Sequence, residues 1–183
     1  MARLFALTAL VLSGVGVGAC LYMSLVLNLV ACPLCIYQRS FIMAVAGVML
    51  VGFLFAKKSL GLVSALCVPL AFTGLGVALY HQYLVMNATI ECPPGLLGLG
   101  GLPVQSVTLF LLLSVCAVGG VWKSESEFPG AQRSLAAALG AVIGVALALG
   151  SIVGAPPIPT RTKPYDPEKE PFNNCRPVYK PQP

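Results

Sequence analysis

The chain has 183 residues, of which 57% are hydrophobic and only 9% charged, with a mean hydropathy of +0.88. An ordinary soluble domain carries about 25% charged residues, and so few charges cannot clothe a single core in polar surface, which excludes a water-soluble globule. The net charge of +5 comes from 11 Lys and Arg that form no basic, aromatic-studded face, so a nucleic-acid partner is excluded as well.

The apolar residues fall into five runs, at about 4–30, 40–56, 59–80, 103–122 and 135–155. Each is long enough for a bilayer span, which takes roughly 17 to 25 residues; the second is at the short end and the first extends beyond the hydrocarbon. In the first run, Gly14, Gly16 and Gly18 read as a smooth helix-packing face, since no strand–helix frame makes them a nucleotide loop. Val17-Gly18-Ala19-Cys20 imitates a lipoprotein cleavage box. The run nevertheless continues from Leu21 to Val30, where a mature lipoprotein would start a polar linker, so an uncleaved span is expected. Pro69 in the third run is tolerated, because neighbouring spans satisfy the backbone groups it frees. The expected fold is an all-α membrane helix bundle over residues 1–155. A tail over 156–183 with nine prolines should be semi-rigid and extended.

Cation placement gives the bundle a sidedness. Outside the tail, Arg3, Lys57, Lys58, Lys123 and Arg133 share one face if every run crosses, and Arg39 alone lies on the other. The positive-inside rule makes the Arg3 face cytoplasmic. The five crossings then send the tail outside, although its Arg161, Lys163, Lys169, Arg176 and Lys180 mildly oppose export. Sidedness in turn sorts the seven cysteines. Cys20, Cys67 and Cys116 lie within runs and read as small packing residues. Cys32, Cys35, Cys92 and Cys175 all fall on the outer, oxidising face, enough for two pairs.

Cys32-Pro33-Leu34-Cys35 is a C-x-x-C motif, the spacing of exchange-competent redox pairs. Half of a zinc site is the alternative, but no second C-x-x-C supplies the remaining ligands, so no metal is expected. A haem-attachment motif is ruled out by Ile36, which stands where His would follow. Cys35 should lie in the first turn of the second span, where the helix dipole favours a thiolate. Arg39 follows one turn later on the same side. A fixed cation beside a thiolate at the bilayer edge suits a quinone, whose reduction places negative charge on its oxygens.

The stretch from Cys32 to Arg39, Cys-Pro-Leu-Cys-Ile-Tyr-Gln-Arg, resembles the C-x-L-C-I-Y-x-R segment of the DsbB family. The arrangement over residues 1–122 is similar too: span, motif, span, basic turn, span, outer loop with Cys, span. The resemblance implies a four-span DsbB-like core, here with an added fifth helix, in a bacterial inner membrane with the N-terminus cytoplasmic and the tail periplasmic. It implies a thiol:quinone oxidoreductase that reoxidises a periplasmic DsbA-like dithiol oxidase and passes electrons to ubiquinone or menaquinone. Carried over by residue, Cys35 is the quinone-facing thiolate, Cys32 its exchange partner and Arg39 a quinone contact. His81, read as the junction of span three and the outer loop, maps beside the quinone. Cys92 maps to the cysteine that forms the mixed disulfide with DsbA. The family usually places both cysteines of its second pair in that loop, whereas here the loop holds only Cys92, so Cys175 in the tail is the expected partner. Twenty residues of polyproline-like chain would reach about 60 Å, ample for that pairing.

Two other readings compete with this one. A dedicated oxidase would serve one substrate through the unusual tail, and a non-catalytic membrane subunit would carry merely structural disulfides. A transporter is disfavoured by spans without Asp, Glu, Lys or Arg in their interiors. In proteins resembling vitamin K epoxide reductase the C-x-x-C comes late in the bundle, not after the first span.

Overall fold

The computed structural model describes residues 1–179 apart from Leu99, Thr162 and Pro167, so Lys180 of the basic tail lies outside the described residues. Among the described residues, five helices are long and apolar enough to cross a membrane: α1 (Ala2–Leu25), α2 (Pro33–Phe55), α3 (Leu60–Met86), α4 (Leu102–Trp122) and α5 (Gln132–Val153). The remaining elements are small. Strand β1 (Ile90–Glu91) pairs antiparallel with β2 (Arg176–Pro177), and a short 3-10 turn spans Leu96–Gly98. The expected all-α bundle is therefore present.

Helices α1 to α4 form a closed ring of neighbours, and α3, which touches all four other helices, also carries α5 on its outer side. The arrangement is a four-helix core with one helix added. Ile42, Val45, Met49, Val68, Ala71, Phe110 and Leu113 fill the core, while Leu4, Val15, Phe55 and Val142 face outward. A bundle that is apolar both inside and outside is what lipid requires, since only the backbone needs shielding from it. Small residues set the close approaches. A Cβ at Gly74 would run into the Phe110 ring, and one at Gly144 would lie 2.6 Å from the Phe72 Cβ. The buried Thr73 hydroxyl donates to Pro69 O at 2.7 Å and approaches Gly144 O at 3.1 Å, tying α3 to α5.

Helix ends depart from the hydropathy limits in two informative places. The first helix stops at Leu25, because Asn28 adopts φ 51° and Pro33 forces extended backbone before it. The third runs on to Met86, since no Gly or Pro interrupts residues 81–86. His81 is therefore a buried residue inside a helix rather than a residue at its junction with the loop.

At the lysine-bearing end, the turn from α4 to α5 caps α3. The Glu127 carboxylate accepts from Gly61 N at 2.9 Å and Leu62 N at 2.8 Å, where Ser59 offers no side-chain cap. Its negative charge also complements the helix N-terminus. Glu127→Ala should lower stability by about 1 kcal/mol, or Tm by roughly 2–4 °C, in thermal unfolding of the detergent-solubilised protein. An unchanged Tm would mean that water replaces the carboxylate without cost.

Candidate functional site

The site lies at the opposite end of the bundle and starts with a helix cap. Pro33 occupies the first turn of α2, where its missing N–H costs nothing, and Cys32 is the N-cap in extended conformation. Cys35 N donates to Cys32 Sγ at 3.2 Å, and the two sulfurs lie 2.6 Å apart. Contact with the Cys35 thiol, then backbone N–H donors, hold the Cys32 thiol below its usual range against the opposing effect of burial. The helix N-terminus thus serves Cys32 directly, while Cys35 sits one turn in.

The next turn of α2 supplies Gln38 and Arg39. Arg39 Nη1 donates to Ser24 Oγ of α1 at 2.6 Å, which fixes the guanidinium across the helix interface. Gln38 is buried, with Nε2 3.3 Å from His81 Nδ1 on α3. The other ring nitrogen, Nε2, lies 3.3 Å from Cys92 Sγ. Cys35, Arg39, His81 and Cys175 line one chamber, together with apolar residues such as Ile42 and Leu109. Cys32 instead lines a second groove with Cys175, Tyr80 and the prolines at 156–159.

Cys92 and Cys175 are joined by a disulfide, with S–S 2.08 Å and a sequence separation of 83. Pairing of Ile90 with Pro177 and Glu91 with Arg176 places the two cysteines side by side. Arg176 Nε donates to the Glu91 carboxylate at 2.6 Å, and its guanidinium lies 3.8 Å from the Tyr165 ring centroid and 4.6 Å from that of Phe172. Tyr165 in turn donates its hydroxyl to Pro177 O at 2.8 Å. The tail is thus a folded strap rather than a free extended chain. The Cys92–Cys175 disulfide, the β1–β2 pairing and the Arg176–Glu91 ion pair hold it to the bundle, and Tyr165 and Phe172 pack on Arg176 within the tail.

The Sγ atoms of Cys32, Cys35 and Cys175 and a ring nitrogen of His81 all lie within 4.8 Å of one another. All six residues singled out in the sequence therefore meet at this end of the bundle. Sequence reasoning missed Ser24 and Gln38, which position Arg39 and His81. The signal for Gln38 was its place directly before Arg39 in the motif. Also overlooked was the pattern Glu91-Cys92 and Cys175-Arg176, an acid and a base beside the two cysteines, which suits antiparallel pairing.

A family model described as "Disulfide bond formation protein DsbB" matches residues 2–155. The chain belongs to the DsbB family. The match to the DsbB family runs through α5, further than the resemblance over residues 1–122, and leaves the Cys175 tail outside. "Disulfide bond formation protein B 1" of Pseudomonas fluorescens (strain Pf0-1) is 34% identical over 77 residues, which is 42% of this chain and 46% of that protein. "Disulfide bond formation protein B" of Herminiimonas arsenicoxydans is 32% identical over 94 residues, or 50% of this chain and 60% of that one. The Burkholderia pseudomallei (strain 1106a) protein of the same name is 37% identical over 91 residues, 49% and 53% of the two chains. The chain thus spans about half the length of the curated relatives it matches. No solved structure matches it.

Proposed function

We propose that this protein is a membrane thiol:quinone oxidoreductase that reoxidises a DsbA-like periplasmic dithiol oxidase. The observation that carries the reading is the nested arrangement of two cysteine pairs, with Cys175 Sγ within 4.8 Å of both sulfurs of the C-x-x-C. Disulfide exchange needs a thiolate close to a disulfide sulfur and a stable thiolate to leave; Cys32 lies close to Cys175 and, its thiol held below the usual range, leaves readily when Cys92 completes the exchange.

The partner's thiolate attacks Cys92, breaking the Cys92–Cys175 bond and forming a mixed disulfide. The partner's second thiolate resolves it, leaving the partner oxidised and Cys92 and Cys175 as thiols. Cys175 thiolate then attacks Cys32 of an oxidised C-x-x-C, and Cys92 completes the exchange. Two electrons and two protons have moved to Cys32 and Cys35.

The donor set of the chamber suits a quinone: a fixed cation, a buried imidazole and a thiol in walls that mix apolar side chains such as Ile42 and Leu109 with polar ones such as Ser106 and Asn173. Arg39 and His81 would hold its two carbonyl oxygens, with Cys35 the sulfur on that side. When bound, the quinone supplies the electron sink, taking up two electrons and two protons. Arg39 offsets negative charge developing next to it, held in place by Ser24 without reorganisation. His81, with Gln38 on Nδ1, presents Nε2 for proton transfer.

The test is quinone reduction by the purified protein, driven by a reduced DsbA-type partner. Arg39→Ala should raise the apparent quinone KM about tenfold or more, the loss of one charge-assisted hydrogen bond of about 1.5–3 kcal/mol. An unchanged KM would reduce Arg39 to an interfacial side chain reaching for water. In the proposed topology the tail is periplasmic. Impermeant thiol reagents should then label Cys175 in reduced intact cells; labelling only after permeabilisation would reverse that sidedness.

A further inference from the structure

The C-x-x-C has no second C-x-x-C to complete a metal site in sequence, yet the fold brings two further ligands to it. His81 arrives from α3 and Cys175 from the tail strap, so that three sulfurs and one imidazole nitrogen share a sphere with no pair further apart than 4.8 Å. We propose that, once the Cys92–Cys175 bond is reduced, Cys32, Cys35, Cys175 and His81 form a tetrahedral site for Zn²⁺ that arrests the protein in its fully reduced state.

Zn–S bonds of about 2.3 Å place tetrahedral sulfurs roughly 3.8 Å apart. Cys32 and Cys35 must therefore separate from 2.6 Å, a movement of about 1 Å that requires χ1 rotation at the N-cap and in the first turn of α2. Cys35 N already donates to Cys32 Sγ, the kind of second contact that steadies a metal thiolate. His81 turns Nε2 toward the sulfurs, as its 3.3 Å contact with Cys92 Sγ shows. Its Nδ1 faces the buried Gln38 amide, which accepts an N–H through its oxygen once the amide flips, fixing the tautomer that a zinc ligand needs. Three thiolates and one Zn²⁺ leave a single net negative charge. Arg39, lining the same chamber as Cys35 and Cys175, offsets it.

The balance is complete with an external dithiol as reductant. It gives two electrons and two protons to the Cys92–Cys175 bond and becomes a disulfide itself. Metal binding then displaces one proton from each of Cys32, Cys35 and Cys175. In the oxidised state Cys175 has no thiolate to offer, so the site exists only when electrons enter faster than they leave. Zinc would then compete with return of the C-x-x-C to its disulfide, a brake set by redox state. The proposal needs only that the tail disulfide can be reduced, whichever partner or acceptor serves it, and so stands or falls separately from the proposed function.

Full-length protein in detergent, reduced and freed of reductant under anaerobic conditions, would be titrated with Co²⁺ and then Zn²⁺. The expected result is one Co²⁺ per chain with a thiolate charge-transfer band and the visible bands of tetrahedral Co²⁺, both erased by Zn²⁺. Protein with Cys92–Cys175 intact should bind at least tenfold more weakly. Cys92→Ser, which leaves Cys175 a permanent free thiol, should bind without reduction of any tail disulfide, whereas Cys175→Ser and His81→Ala should each lose at least tenfold in affinity. Equal binding with the tail disulfide intact, no binding by either reduced protein or Cys92→Ser, or full affinity in both ligand variants would overturn the proposal.

Discussion

Cys35→Ala is expected to abolish quinone reduction driven by a dithiol partner, with turnover down roughly 10³-fold or more. Without Cys35 the C-x-x-C cannot close on itself, so electrons reaching Cys32 have no disulfide to leave behind. The variant should also trap a specific species. Cys32 Sγ, which accepts from the backbone N–H of residue 35 at the helix cap, lies within 4.8 Å of Cys175 Sγ. Attack there breaks the Cys92–Cys175 bond, forms Cys32–Cys175 and releases Cys92 as a thiolate, with no net oxidation. Peptide mapping under non-reducing conditions should find that cross-link, and alkylation should find Cys92 free. Full turnover in the variant would show that the C-x-x-C is not the route to the acceptor.

The division of labour within the C-x-x-C was only partly visible in the sequence. Residue spacing placed Cys35 and Arg39 on one side of a helix, and the structure has both lining one chamber. Spacing could not show that Cys32 is the cap, because capping depends on the extended backbone of the residue itself. His81 illustrates a different failure. Hydropathy falls at Tyr80-His81-Gln82, which reads as a membrane boundary, but helix continuation there depends on breakers, and no Gly or Pro stands between His81 and Asn87. A polar residue was therefore buried under the loop that should have exposed it.

The tail resisted reading for a physical reason as well. Nine prolines in 28 residues indicate low chain entropy and little regular structure, both consistent with an extended chain. They do not reveal that Arg176 finds Glu91, 85 residues away, or that Tyr165 lies under its guanidinium. Preordered chain loses less entropy on docking, so the same prolines that imply extension also lower the cost of folding back. The five apolar runs were legible because bilayer spanning imposes length and composition on each helix separately. Contacts between distant segments carry no such local signature.

Cys175→Ser tests whether that docked strap is chemistry or scaffold. Serine preserves size, and the Arg176–Glu91 pair and the β1–β2 pairing remain to hold the strap in place. Partner-driven turnover should fall at least roughly 10²-fold, because Cys92 can accept the partner's attack only as half of a disulfide. Half-reactions separate this loss from misfolding. Fully reduced wild-type protein holds two dithiols and should reduce about two equivalents of quinone, whereas the variant should reduce about one, through Cys32 and Cys35 alone. A normal single-equivalent burst with failed turnover would locate the defect between Cys92 and the C-x-x-C. Preserved turnover would instead mean that Cys92 exchanges directly with Cys32, leaving the strap a structural cover over an otherwise complete relay.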